Sequence, residues 1–86
     1  ILDAWQPHCK LIFLCSPNNP TGNVYPAQDV LYLCEQLKNK AIIIVDEAYI
    51  EFSDKTSMVN HLAIHENLVV LRTLSKAFGM AGARCG

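Results

Sequence analysis

Ala41-Ile-Ile-Ile-Val45 runs without a polar break into Asp46. Four consecutive β-branched side chains lose rotamer freedom in a helix and pack well on a pleated surface, so the run predicts a strand. The lack of alternation constrains the fold further. A strand with one wet face alternates apolar and polar residues, whereas a short run that is apolar throughout is buried on both faces, as in a parallel sheet covered by helices.

Lys10-Leu-Ile-Phe-Leu-Cys15 reads the same way and stops at Ser16-Pro-Asn-Asn-Pro-Thr-Gly22, whose prolines cannot donate to a central ladder. Leu68-Val-Val-Leu71 predicts a third strand. Between the first two, Pro26 can open a helix on which Val30, Leu33, Cys34 and Leu37 recur at helical spacing, with Lys38 and Lys40 at the negative end of its dipole. A weaker helical pattern, Met58, Val59, Leu62 and Ala63, starts from a cap at Thr56 or Ser57. Strands alternating with helices predict right-handed βαβ units, hence an α/β fold with a mostly parallel sheet flanked by helices. No repeat or linker interrupts it.

In such a sheet Asn19, Asp46 and Lys76 each fall just beyond the C-terminal end of a strand, the edge where open α/β sheets bind ligands. Three polar clusters therefore converge on one expected site. Composition narrows the partners. A net charge of -1 with seven scattered Lys and Arg residues provides no basic patch for nucleic acid. The longest apolar runs fall far short of the roughly 20 residues a membrane helix needs. Four cysteines without C-x-x-C spacing predict reduced, mostly buried thiols and a cytoplasmic setting. His61 and His65 stand at helical i, i+4 spacing, but no third metal ligand accompanies them, and no metal is expected. Ile1 in first position, and a last residue lying directly after a dense polar cluster, lead to the expectation of a fragment of one domain with its flanking parts elsewhere.

Each cluster has a specific and a plain reading. Lys76, followed by Ala77-Phe-Gly-Met-Ala-Gly-Ala and Arg84, suits an amine that forms a Schiff base beside a guanidinium fork for a phosphate; the plain reading is a solvated lysine after a turn. Asp46 ends a buried strand, where a carboxylate needs solvent or a cation such as a protonated ring nitrogen; plainly, it caps the next turn. Tyr49 can direct a hydroxyl at the same ligand or belong to the core. Asn19 can donate its amide to an anionic oxygen, or the whole segment can be a rigid proline turn in which Asn19–Pro20 is a candidate cis bond.

Taken in order, Ser16-Pro-Asn-Asn-Pro-Thr-Gly22, Val45-Asp-Glu-Ala-Tyr-Ile-Glu-Phe52 and Leu71-Arg-Thr-Leu-Ser-Lys-Ala-Phe-Gly-Met-Ala-Gly-Ala-Arg-Cys-Gly86 resemble the signature segments of fold-type-I aminotransferases. The resemblance covers most of the chain. It implies that residues 1–86 are part of the large domain of a pyridoxal-phosphate (PLP) dependent transferase whose N-terminal and C-terminal parts are absent. It further implies that Lys76 bonds the cofactor and moves the substrate proton, and that Asp46 pairs with the pyridinium. Asn19 and Tyr49 would contact the phenolic oxygen, while Thr73, Ser75 and Arg84 hold the phosphate. Met80 and Ala83 stand where leucine is more usual, a difference of packing volume.

Within the family, Ile50-Glu-Phe52 and Leu71-Arg-Thr-Leu-Ser-Lys76 most resemble the branch acting on L-histidinol phosphate and 2-oxoglutarate in histidine biosynthesis, as a homodimer with small-molecule substrates. Other fold-type-I PLP enzymes with similar core motifs, such as threonine-phosphate decarboxylase or an aromatic or aspartate aminotransferase, are the near alternative. A more distant one is a nucleotide triphosphatase, because Ile42-Ile-Ile-Val-Asp-Glu47 also fits a magnesium-binding strand; no G-x-x-x-x-G-K-[ST] loop accompanies it. A non-catalytic, sheet-forming piece is the third reading.

Overall fold

Leu11–Cys15 (β1), Ile42–Asp46 (β2) and Leu68–Leu71 (β3) form a parallel three-stranded sheet in that spatial order. The computed structural model describes residues 1–18, 21–76 and 79–86. Register matters more than strand number here. Cys15 lies opposite Asp46, and Asp46 opposite Leu71, so the three strands end level and release their loops at one edge.

Helix α1 (Ala27–Gln36) joins β1 to β2. Pro26 is its N-cap residue, where a missing N–H costs nothing, and Val30, Leu33 and Cys34 form its buried stripe. Asn39 ends the connection in the left-handed region at φ 63°, a conformation asparagine tolerates, and the amides of Lys40 and Ala41 both donate to the Leu37 carbonyl. Buried Asn67 then donates to the carbonyls of Cys34 (2.9 Å) and Ala41 (3.2 Å). It thereby satisfies a helix-end carbonyl that would otherwise lie buried without a partner.

The core forms on one face of the sheet. Ile43 and Val45 are 0% exposed and pack with Leu14, Leu33, Leu37, Met58 and Leu68, whereas Phe13, on the opposite face, is 65% exposed. Leu11, Ile42, Val69 and Leu71 are exposed on that face too. Burial of the strands on both faces, expected from their unbroken apolar runs, is therefore corrected. Apolar strand residues alternate in direction, and the core assembled with α1 reaches only one set of them.

The pattern at Met58, Val59, Leu62 and Ala63 forms a short 3-10 turn, Met58–His61, rather than an α-helix. Ser57 caps it, accepting from the Val59 amide. Of the four patterned residues only Met58 is buried, and so short an element has too little apolar face to repay helix nucleation. All four cysteines are free; Cys34 is buried, Cys9 and Cys15 are half-buried, and Cys85 is exposed, so the expectation of mostly buried thiols holds only for Cys34. Burial pushes the Cys34 thiol up, which keeps it protonated and unreactive. Among the described residues no helix is long and apolar enough to cross a membrane, and no group of three metal-ligating side chains occurs.

Candidate active site

The loop after β1 is closed by its own hydrogen bonds. The Ser16 amide extends the ladder to the Asp46 carbonyl at 3.0 Å, and the buried Ser16 hydroxyl accepts from the Tyr25 amide at 3.0 Å, pinning both ends of the loop to the strand. Asn18 and Asn23 pair through their backbones at 2.8 Å, Asn18 Nδ2 donates to Thr21 Oγ1 at 2.8 Å, and Gly22 takes φ 74°, which only glycine adopts without strain. Asn19 and Pro20, with the cis bond expected between them, lie outside the described residues; a cis bond occurs at Ser16–Pro17.

At the end of β2, alternation sends neighbouring carboxylates opposite ways. Asp46 is half-buried on the open face, where its Oδ1 accepts from the Ala48 amide at 3.0 Å, so the turn-capping reading holds for one of its oxygens. Glu47 turns into the core and is 1% exposed. Its Oε1 accepts from the Ser57 hydroxyl at 2.5 Å and its Oε2 from the Met58 amide at 2.7 Å, which fastens the Met58–His61 turn beneath the strand end. Glu47→Ala strands both donors, at about 1–3 kcal/mol for each buried group left unpaired. The full-length Glu47→Ala protein is expected to melt several degrees lower, with Glu47→Gln recovering part of the loss; an unchanged melting temperature would show that the two bonds are replaced by water.

Tyr49 is half-buried, follows Asp46 by three residues and packs its ring against Phe52 at 6.2 Å between centroids. Lys76 reaches it from the loop after β3, with Nζ 5.8 Å from the Tyr49 ring centroid, within cation–π range. Two of the three clusters thus meet directly.

The third cluster folds back on itself. Thr73 Oγ1 accepts from the Ser75 amide at 3.1 Å and donates to the Cys85 carbonyl at 3.4 Å, and the Leu74 amide also donates to that carbonyl at 3.3 Å. This return brings Arg84, one residue before Cys85, beside the Thr73–Ser75 turn. Arg84 is exposed and left-handed at φ 51°, an uncommon conformation for a non-glycine residue, where it ends the 3-10 turn Ala81–Ala83. A Cβ at Gly86 would lie 3.0 Å from the Arg72 carbonyl, so only glycine fits there without a shift of backbone.

Lys76 and Tyr49 thus meet at this edge, Asp46 ends the neighbouring strand on the open face, and the Thr73–Ser75 turn lies against the backbone next to Arg84. This donor set suits a phosphorylated pyridine aldehyde, which requires an amine to bond, an anion for the ring nitrogen and charge-assisted donors for the phosphate. An open groove of about 600 Å³ is lined by Pro17, Asn18, Gly22 and Val24 on one side and by residues from Tyr49 to Lys55 on the other, and among the described site residues only Tyr49 borders it. Volume alone does not mark the chemistry here.

The sequence motifs give Glu47, Glu51 and Arg72 no role of their own. Glu47 is a buried anchor, and Glu51 pairs with Arg72 at 2.7 Å. The period of two along β2 carries a signal for Glu47, since it falls on the side of Ile43 and Val45; no local pattern marks the Glu51–Arg72 pair.

Residues 2–86 match the model of the family "Aminotransferase class I and II". The chain belongs to that family. Its sequence is 54% identical over 86 residues to histidinol-phosphate aminotransferase 1 of Legionella pneumophila, covering 100% of this chain and 24% of that protein. It is also similar in structure to histidinol-phosphate aminotransferase from Sinorhizobium meliloti in complex with pyridoxal-5'-phosphate (TM-score 0.73, 37% identity, 86% of this chain and 21% of that one). L-threonine-O-3-phosphate decarboxylase from Porphyromonas gingivalis aligns with TM-score 0.76 at 26% identity, over 85% of this chain and 22% of that one. The chain spans about a quarter of the length of the curated relatives it matches. Family membership places the strand-end Asp46-Glu47 pair in an aminotransferase rather than a nucleotide triphosphatase.

Proposed function

We propose that residues 1–86 are part of the large domain of a cytoplasmic, homodimeric PLP enzyme that transfers the amino group of L-histidinol phosphate to 2-oxoglutarate in histidine biosynthesis. The observation that carries the reading is the approach of Lys76 to Tyr49 at the edge where Asp46 ends β2. The open apolar sheet face, with Phe13, Ile42 and Val69 exposed, supports the larger domain. For the substrate, support comes from curated relatives named histidinol-phosphate aminotransferase at 52–56% identity over 77–86 residues, and among the solved structures histidinol-phosphate aminotransferases share 30% and 37% identity against 26% for the decarboxylase.

When bound, the cofactor supplies an electron sink for the carbanion left by loss of the substrate's α-proton. The chain's own residues do the rest. Lys76 would hold the cofactor through its amine and would serve as general base and then general acid for the α-proton. Asp46 presents a carboxylate to the ring nitrogen and keeps it protonated. Tyr49 would donate its hydroxyl to the phenolic oxygen, and Asn19 its amide. Thr73 and Ser75 donate hydroxyls to the phosphate, and Arg84 adds a planar fork that matches its geometry.

Purified full-length enzyme supplied with L-histidinol phosphate and 2-oxoglutarate is expected to form glutamate in step with loss of donor. Release of carbon dioxide from threonine phosphate without glutamate formation would favour the decarboxylase. Neither product from a protein carrying PLP would overturn the substrate assignment.

A further inference from the structure

Backbone pairing between β2 and β3 ends where the Glu47 amide donates to the Leu71 carbonyl at 2.8 Å. Beyond that point the loops bearing Tyr49 and Lys76 have no ladder to hold their spacing, yet Lys76 Nζ sits 5.8 Å from the Tyr49 ring centroid. Among the described residues, a side-chain bond ties the two loops together near their roots. Arg72, the first residue after β3, donates to Glu51 Oε1 at 2.7 Å, and Glu51 lies two residues beyond Tyr49 in the 3-10 turn Ile50–Phe52.

We propose that the Glu51–Arg72 ion pair is a positioning clamp that sets the distance between the Tyr49 loop and the Lys76 loop. The inference rests on the functional reading of Tyr49 and Lys76 given above. Arg72 is well placed to transmit register. Its guanidinium reaches Glu51, the next residue is Thr73, and its carbonyl is the backbone against which Gly86 closes. Both members of the pair line a groove with Thr73, Leu74, Cys85 and Gly86, so the bond forms part of the wall that carries the Thr73–Ser75 turn. Glu51 is committed to this bond. Its carboxyl is held below the usual carboxylate range, first by its own backbone amide and then by Arg72, and its Oε2 is buried without a hydrogen-bond partner among the described residues.

The Arg72 side chain is 43% exposed and that of Glu51 18%, and ion pairs near solvent contribute little to global stability. A clamp and a mere surface pair therefore differ in what they change. Positioning errors near 1 Å lower rates by up to about 10²-fold without unfolding anything.

The test uses full-length enzyme loaded with PLP and compares wild type with Glu51→Gln, Arg72→Gln, Arg72→Lys and the double variant Glu51→Gln/Arg72→Gln. The readouts are kcat and KM, PLP dissociation from the holoenzyme, and the pH titration of the cofactor's absorbance on Lys76. Each glutamine variant is expected to lower kcat roughly 10- to 100-fold, with KM changed much less, and to displace the absorbance titration. Arg72→Lys, which keeps the charge on a differently shaped head, is expected to recover part of both. The double variant is expected to be no worse than Arg72→Gln, because each single already breaks the same ion pair. Wild-type kcat and titration in folded Glu51→Gln, or losses that multiply in the double variant, would overturn the clamp. If Arg72→Gln misfolds, the near-isosteric Glu51→Gln decides. Failure of the functional reading looks different, because borohydride reduction of wild type would then leave Lys76 unlabelled.

Discussion

Lys76→Ala in the full-length enzyme is expected to abolish covalent attachment of PLP and to slow amino transfer by at least ~10²-fold, the general acid–base contribution alone. Lys76 is the lysine that the fold carries to the Tyr49 ring, from a loop whose root is fixed by the ladder bond between Glu47 and Leu71. Lys38 and Lys40 lie at the opposite end of β2, beyond the C-terminus of α1, and Lys55 lines the groove beside Phe52. Borohydride reduction and peptide mapping of wild type should therefore label Lys76. A label on any other lysine would sink the assignment, whatever the rate of the alanine variant. Loss of the amine removes the bond and the proton carrier together, so added primary amines should restore part of the proton transfer while leaving the attachment absent.

Asp46→Asn is expected to leave the fold and PLP binding nearly intact while α-proton abstraction falls by at least ~10²-fold. The asparagine oxygen can still accept from the Ala48 amide, the bond that Asp46 Oδ1 makes at 3.0 Å, so the turn after β2 keeps its cap. What disappears is the negative charge on the open face. An opposite charge at contact distance favours the ionised form of a base, so the ring nitrogen of bound PLP should keep its proton to higher pH in wild type than in Asp46→Asn. Asp46→Glu should lose less than Asp46→Asn, because it retains the charge and only misplaces it. Half-reaction rates and titration of the cofactor's absorbance in the three proteins provide the measurement. A wild-type half-reaction rate in Asp46→Asn would show that Asp46 is only the cap of its turn.

Local pattern determined much of this protein. Unbroken apolar runs at Leu11–Cys15, Ile42–Val45 and Leu68–Leu71 specified the strands, and Val30, Leu33 and Cys34 at helical spacing specified α1, because burial periodicity is a property of neighbouring residues. The order and separation of the polar segments pointed to the aminotransferases, and the parallel topology then carried Asp46 and Lys76 to one edge. Tertiary structure decided the rest. Which sheet face would be covered depended on the core assembled with α1, not on the strands' own composition. Glu47 fastens the start of the Met58–His61 turn, capturing Ser57 and Met58 from 10 and 11 residues away. The bond between Glu51 and Arg72 joins residues 21 apart, and the return of Cys85 to Leu74 sets where Arg84 stands. Contacts of this kind are invisible to periodicity, because they depend on where two loops leave a sheet in space, which the level register of β2 and β3 establishes only once the chain has folded.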